Sequence, residues 1–247
     1  MIINVHAGHN PDGKTACGAV GLLKESTEAR KIKDLVIAKL RSLGHTVYDC
    51  TVDNGTGQTD VLRKIVAKCN AHDVDLDVSI HLNAGAKDTA GNGKSAGTEV
   101  LVYALTSDAA DEAKRTCEAI AALGYRNRGV KARPGLYVLR HTEAPAMLVE
   151  CCFVDDADDV KLYDAEQMAQ AIVYGITGRQ AASGYLVRIT AGELNVRAQA
   201  SASSAVKTVV HQGEVFTIVE EAMNGTTKWG RLKSGAGWIS LGYTEKV

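Results

Sequence analysis

The sequence predicts an α/β fold, a mostly parallel sheet with helices on both faces, followed by a small C-terminal all-β barrel. Three observations carry this. Strand-like apolar runs alternate with stretches of helical period from Ile2 to Thr177, the pattern of a parallel sheet covered on both sides. From Tyr185 onward the helical period vanishes, and six brief β-type runs separated by Gly, Asn and Ser follow. With 247 residues, 45% of them apolar, the chain can bury a substantial core without disulfide support. The domains are therefore expected at 1–178 and 185–247, joined by a linker over 179–184.

The first strand is the apolar run Ile2 to Val5, which delivers His6-Ala7-Gly8-His9 into the turn-rich loop Asn10-Pro11-Asp12-Gly13. From Glu25 the period becomes helical, with Ile32, Leu35, Val36, Leu40 and Leu43 on one face and Gly44 closing the helix. Glu25 thus stands at the helix N-terminus. His45 to Tyr48 forms a second strand, and Gly55-Thr56-Gly57 opens a helix whose apolar face is Val61, Leu62, Ile65, Val66 and Cys69.

Leu76, Val78 and Ile80 alternate along a third strand that ends at His81, before the loop Asn83-Ala84-Gly85-Ala86. The stretch from Gly85 to Gly97 is polar and glycine-rich, hence an exposed and mobile loop. Thr98 to Tyr103 is another strand. Ser107-Asp108 is expected to cap a helix with Asp111 and Glu112 in its first turn and Gly124 at its end. Leu136 to Leu139 and Ala146 to Val149 are two further apolar runs, the second followed at once by Glu150, and a last helix runs from about Asp164 to Thr177.

Composition excludes several classes. A net charge of −1 leaves no polycation for nucleic acid and no basic amphipathic helix for a membrane surface. No apolar run is long enough to span a bilayer, and the N-terminus runs straight into patterned structure with no signal-peptide character, so a soluble product made in the cytoplasm is expected. Cys17, Cys50, Cys69, Cys117, Cys151 and Cys152 show no C-x-x-C spacing and are read as buried thiols with no structural disulfide.

Chemistry emerges when the polar residues are placed on this topology. In a parallel sheet, strand C-termini and helix N-termini share an edge. His9 follows the first strand, Glu25 begins the next helix, His81 ends the third strand and Glu150 follows the run from Ala146, so all four can face one crevice. Two imidazoles and a carboxylate are a ligand set for a catalytic Zn2+, with the fourth tetrahedral position left for water. His9, Glu25 and His81 are therefore assigned to the metal, and Glu150, in an apolar setting that favours a raised pKa, to proton transfer.

Four motifs in order, Ala7-Gly8-His9, Gly18-Ala19-Val20-Gly21 leading to Glu25, Ser79-Ile80-His81-Leu82-Asn83-Ala84, and Val138-Leu139-Arg140 running to Pro145-Ala146-Met147-Leu148-Val149-Glu150, resemble the zinc-dependent N-acetylmuramoyl-L-alanine amidases of the type 3 class. The resemblance covers nearly all of residues 1–178. It implies hydrolysis of the amide joining N-acetylmuramic acid to L-alanine in peptidoglycan, with His9, Glu25 and His81 on zinc and Glu150 catalytic. Two positions depart from the family pattern: His6 stands where an acidic residue is usual, and Asn10 where a glycine is. Either His6 or His9 could then reach the metal, and the Gly8-His9 register favours His9. Arg140 either contacts a substrate carboxylate or pairs at the surface, and Asn83 either binds substrate or holds its loop.

The tail resembles a bacterial SH3-like cell-wall module through Leu194-Asn195-Val196-Arg197, Gly213-Glu214-Val215, Trp229-Gly230-Arg231-Leu232 and Gly237-Trp238-Ile239. This implies binding of cell-wall polymer, with Trp229 and Trp238 either lining a groove or packing in the core. A wall amidase made in the bacterial cytoplasm without an export signal reads as a phage-type endolysin. The alternatives are a host autolysin, a wall-directed cysteine peptidase using Cys17 or Cys151, and a wall-binding protein without turnover.

Overall fold

The computed structural model describes residues 1–179 and 184–247, so the linker expected over 179–184 falls largely outside the described residues. The chain divides into two compact units, Met1–Ala181 and Ala182–Val247.

In the first unit the elements run β1 (Ile2–Ala7), α1 (Glu25–Ser42), β2 (Thr46–Asp49), α2 (Gln58–Cys69), β3 (Leu76–Asn83), β4 (Thr98–Val102), α3 (Ala110–Ala121), β5 (Asn127–Ala132), α4 (Tyr137–His141), β6 (Ala146–Phe153), α5 (Ala157–Leu162) and α6 (Ala165–Thr177). The strands form one sheet in the order β2-β1-β3-β6-β4-β5. β2, β1, β3 and β6 are parallel, while β4 pairs antiparallel with β6 and parallel with β5. The sheet is thus mostly parallel with one reversed pair at its edge.

Period-two alternation sends each strand's residues to opposite faces. Ile3, Val5, Ala7, Val78, Ile80, Val100, Met147 and Val149 pack with buried residues of α1, α3 and α6 in the main core. The opposite face is covered by α2 and α4, whose Val61, Ile65, Val66 and Val138 form a smaller cluster with Cys50, Val52 and Cys69. It also buries polar groups: Asn4 donates to the Cys69 carbonyl (3.0 Å) and to Asp77 (2.7 Å), and His6 and Ser79 are fully enclosed.

Several local expectations are revised. The run at 136–139 belongs to the short helix α4, because Leu136, Leu139 and Ala146 bury their side chains together at one end of that covered face. β5 and α5 escape an apolar-period reading, since β5 is Asn-Arg-Gly-Val-Lys-Ala and only Asp159 of α5 is buried. Helix α3 starts at Ala110 with Ala109 at its N-cap and no side-chain cap, and Ser107 contributes its carbonyl instead, accepting from the Ala110 N–H at 2.9 Å. Cys17 is only half-buried, whereas the other five thiols are buried, and all six are free.

The loop at 85–97 is exposed along most of its length, yet its backbone is tied down. Asp155 accepts from the N–H groups of Gly85, Ala86 and Lys87, Asp158 from those of Asn92, Gly93 and Lys94, and Asp159 from that of Gly97 and the Ser95 hydroxyl. Three aspartates at the end of β6 and in α5 thus carry a loop that has almost no apolar anchor of its own.

The second unit contains β7 (Tyr185–Ile189), β8 (Glu193–Arg197), β9 (Val206–His211), β10 (Val215–Asn224), β11 (Thr227–Leu232), β12 (Trp238–Ser240), a 3-10 turn (Leu241–Tyr243) and β13 (Thr244–Lys246). All pairings are antiparallel, in the order β13-β7-β10-β11-β12-β8-β9. Val187, Ile189, Val196, Ile218, Leu232 and Ile239 fill its core. The six expected runs are present, and β13, which is short and polar, makes a seventh.

Candidate metal centre

Three of the elements deliver one side chain each to a single point at the carboxyl edge of the sheet. His9 lies two residues past β1, Glu25 is the first residue of α1, and His81 sits near the end of β3. One ligand atom from each lies within 4.8 Å of the others, the one such metal-capable group among the described residues. Glu25 Oε1 is 2.9 Å from His81 Nδ1 and 3.2 Å from His9 Nε2, and the two rings meet edge to face at 4.9 Å. Burial alone would raise the Glu25 carboxyl, but hydrogen bonds from His81 and His9 hold it well below the usual carboxylate range. Its other oxygen accepts from the Ala19 N–H at 2.7 Å.

The backbone around this point is shaped for close approach. A Cβ at Gly8 would lie 2.0 Å from His81 Cε1, and one at Gly18 would lie 2.5 Å from Glu25 Oε2. Only glycine at both positions lets the three ligands converge. His9 itself adopts a left-handed backbone (φ 62), which costs free energy for a residue with a Cβ. Arg30 secures it: the guanidinium donates to the carbonyls of His9 (2.8 Å), Val52 (3.1 Å) and Ser26 (3.1 Å) and pairs with Asp53 at 2.7 Å.

Asn10, fully buried, donates to the carbonyls of Thr15 (2.7 Å) and Gly55 (2.8 Å) and accepts from the Gly55 N–H at 3.0 Å. Where the family pattern has a glycine, this chain has a side chain that ties two loops together. Arg30 carries no mark in the sequence, and Asn10 stands out there only as a departure from the family's glycine. Both act through backbone carbonyls, and no residue pattern reports such partners.

His6 is separate from the triad. It is fully buried on β1 opposite Ser79, neither ring nitrogen has a hydrogen-bond partner, and burial together with the nearby His81 pushes its pKa down to about 3. It lines the same small cavity as His9, His81 and Gln58.

Glu150 stands directly across from His81 in the β3–β6 register and across from Glu99 in the β6–β4 register. Its Oε2 is buried without a hydrogen-bond partner. Burial, followed by the charges of Glu25 and Glu99, pushes its pKa up to about 8. Asn83 accepts from the Ala84 N–H at 2.8 Å and reaches Glu99 at 3.4 Å. Arg140 is exposed on α4, in its last turn. Cys151 points into the main core on the opposite face from Glu150, where burial pushes its thiol well up, a poor setting for a nucleophilic thiolate.

The donor chemistry fits a divalent metal. Two imidazoles and a carboxylate with an open side are what a catalytic zinc site uses, and the glycine cradle removes the steric obstacle to their convergence. Fold and site together define a chain with a His-Glu-His centre at the carboxyl edge of an α/β sheet and a protonatable carboxylate one strand away. Residues 3–178 match the N-acetylmuramoyl-L-alanine amidase family (Amidase_3), and the chain belongs to that family. Residues 192–245 match the bacterial SH3 domain.

Among relatives, an uncharacterized protein of Clostridium perfringens, CPE1502, is 35% identical over 164 residues, covering 66% of this chain and 47% of that protein. The endolysin of Bacillus phage SPP1 is 30% identical over 184 residues, covering 70% of this chain and 62% of that protein. Among solved structures, the catalytic domain of the CD27L endolysin targeting Clostridia Difficile superposes with a TM-score of 0.65 at 25% identity, covering 73% of this chain and 98% of that one. The chain spans about half the length of the Clostridium perfringens relatives it matches (47% and 46%). Among the described residues no helix is long and apolar enough to cross a membrane.

Proposed function

We propose that this chain hydrolyses the amide between N-acetylmuramic acid and L-alanine in peptidoglycan, as a zinc-dependent amidase of the endolysin kind. The observation that carries the reading is Glu150, a carboxylate with an unpartnered buried oxygen, placed in register beside a His9–Glu25–His81 cluster that can hold a metal. A zinc ion held by His9, Glu25 and His81 would supply Lewis-acid polarisation of the scissile carbonyl and would lower the pKa of water to roughly 7. Glu25 keeps its charge because both imidazoles face it, and its second oxygen is fixed by the Ala19 N–H.

Glu150 takes the proton from the attacking water and passes it to the nitrogen of the departing L-alanine. A carboxyl pushed up toward neutrality is suited to both transfers, since it is near balance between its two forms at working pH. Asn83 and Arg140 are proposed to contact substrate beyond the reacting atoms. The likeness to the SPP1 endolysin and to the CD27L catalytic domain is the support for the endolysin reading.

Wall attachment is assigned to the bacterial SH3 domain. Trp229 lines a groove of about 500 Å³ with Asn195, Arg197 and Tyr243, whereas Trp238 is not among its lining residues. The indole nitrogen of Trp229 is buried without a partner.

Digestion of purified peptidoglycan by the wild type and by Glu150→Ala tests the catalytic reading. New alanine N-termini without new reducing sugar ends are expected from the wild type, and the variant should keep its metal while losing turnover. Reducing ends would assign the activity to a different bond. Activity that survives metal stripping but is lost on thiol alkylation would transfer it to a cysteine.

A further inference from the structure

Beyond Glu150 the sheet carries a second charged cluster, on β4 and β5. Glu99 on β4 is buried and accepts from Arg128 Nε at 2.6 Å, from Lys131 Nζ at 2.5 Å and from Asn83 Nδ2 at 3.4 Å. Arg128 also donates to the Ala96 carbonyl at 3.2 Å and lies over the Phe153 ring at 4.9 Å. Its Nη2 has no protein partner among the described residues.

We propose that Arg128 and Lys131, braced on Glu99, form a subsite for a carboxylate on the peptide side of the substrate. The proposal rests on the amidase reading above. Three observations point to a ligand. First, one buried carboxylate is neutralised by one cation, and here there are two, so the cluster carries a surplus positive charge. Second, the exposure is one-sided: the Glu99 side chain is 9% exposed, against 29% for Arg128 and 31% for Lys131, so the surface presented to solvent is cationic.

Third, the placement suits the substrate. Across one face of the sheet the order is His81 on β3, Glu150 on β6, Glu99 on β4 and then β5 with Arg128 and Lys131. Two strand spacings separate β6 from β5, or about 10 Å. That is the reach of about three extended residues. A substrate whose scissile amide lies between the triad and Glu150 therefore places the second or third residue of its peptide over Arg128 and Lys131. The sugar side of that amide is uncharged, whereas the stem peptide carries carboxylates, both on an internal acidic residue and at its C-terminus. Arg128 Nη2 and the Lys131 ammonium are both charged donors, and a charge-assisted hydrogen bond to a carboxylate is of the strong kind.

The test uses the full zinc-loaded protein and three synthetic muropeptides: both carboxylates free, the internal one amidated, and the C-terminal one amidated. The wild type should show a kcat/KM about ten- to hundred-fold lower on one of the two amides, the size expected for a lost charge-assisted hydrogen bond, and which amide suffers identifies the carboxylate bound. Lys131→Met and Arg128→Gln should each shrink that preference, and Glu99→Gln, which frees both cations, should enlarge it. Wild-type indifference to both amides would overturn the subsite, as would variants that lose activity equally on all three substrates, since the cluster would then serve only to brace β4 and β5. No hydrolysis of any muropeptide by the wild type sinks the amidase reading itself, and the subsite with it.

Discussion

The two faces of the central sheet are built from the same strands to opposite rules. On one, Val5, Val78, Ile80 and Val149 pack against α1, α3 and α6 in an apolar core. On the other, consecutive rows hold Asn4 with Asp77, His6 with Ser79, and finally His81, Glu150 and Glu99 at the carboxyl edge. The apolar face can fix register alone, because a one-residue slip would expose every core residue. The other face is thereby free to carry groups that cost stability and supply chemistry. Mutations on the two faces should separate these contributions.

The largest effect is expected from Glu25→Ala. It removes the carboxylate on which both imidazoles converge and leaves His9 and His81 without their shared acceptor. Zinc retained after dialysis and amidase turnover should both fall to background, while the circular dichroism of the fold stays intact. A variant that holds zinc at full stoichiometry would remove Glu25 from the ligand set.

Next is Ile80→Ala, adjacent in sequence to His81 but fully buried on the apolar face. It should cost about 2–5 kcal/mol in denaturant unfolding through lost transfer energy and a residual cavity. Zinc affinity measured well below the unfolding transition should be near that of the wild type. Equal losses in both quantities would show that the faces are not independent.

A subtler break is Arg30→Ala. Arg30 touches none of the reacting atoms, yet it holds the His9 carbonyl in a strained left-handed turn. Loss of such an outer support lowers metal affinity by about 10–100-fold. Competition with a chromophoric chelator measures it, and Arg30→Lys should recover little because one ammonium cannot serve four carbonyls and a carboxylate.

The contrast between faces also explains what could be read in the sequence. The apolar periods of β1, α1, α2, β3 and α6 announce themselves, since one burying stripe repeats at a fixed interval. His9, Glu25, His81 and Glu150 stood out because each falls at a strand end or helix start, and these share one edge. β5, α5 and β13 were invisible because polar contacts define them: the Glu99 ion pairs for β5, and backbone amides on Asp155, Asp158 and Asp159 around α5. Arg30 and Asn10 bind backbone carbonyls across gaps of 21 and 45 residues, which no local pattern encodes. The loop at 85–97 looked mobile from composition, yet its amides have aspartate partners more than sixty residues away.

The last predicted effect is a pH signature of Glu150 in the metal-free protein. Its carboxyl is pushed up to about 8 in the fold, from 4.5 in an ordinary setting. Between those values the folded state holds a proton that the unfolded chain has released, so this group makes stability fall as pH rises. Below pH 4.5 both states are protonated and Glu150 contributes nothing, and above pH 8 its full cost is present. Replacing it with Gln keeps the shape and removes the titration. Metal-free Glu150→Gln should therefore match the wild type in Tm at pH 4.5 and exceed it by several degrees at pH 8.5. Groups that do not interact with Glu150 titrate alike in both proteins and cancel in the difference, which leaves Glu150 and the charges of Glu25 and Glu99 that act on it. Adding zinc should shrink the gap, because a nearby positive charge favours the ionised carboxylate. A gap that is flat with pH would mean that Glu150 is solvated like a surface residue, and the polar face would then lose the one group whose burial marks it as a proton carrier.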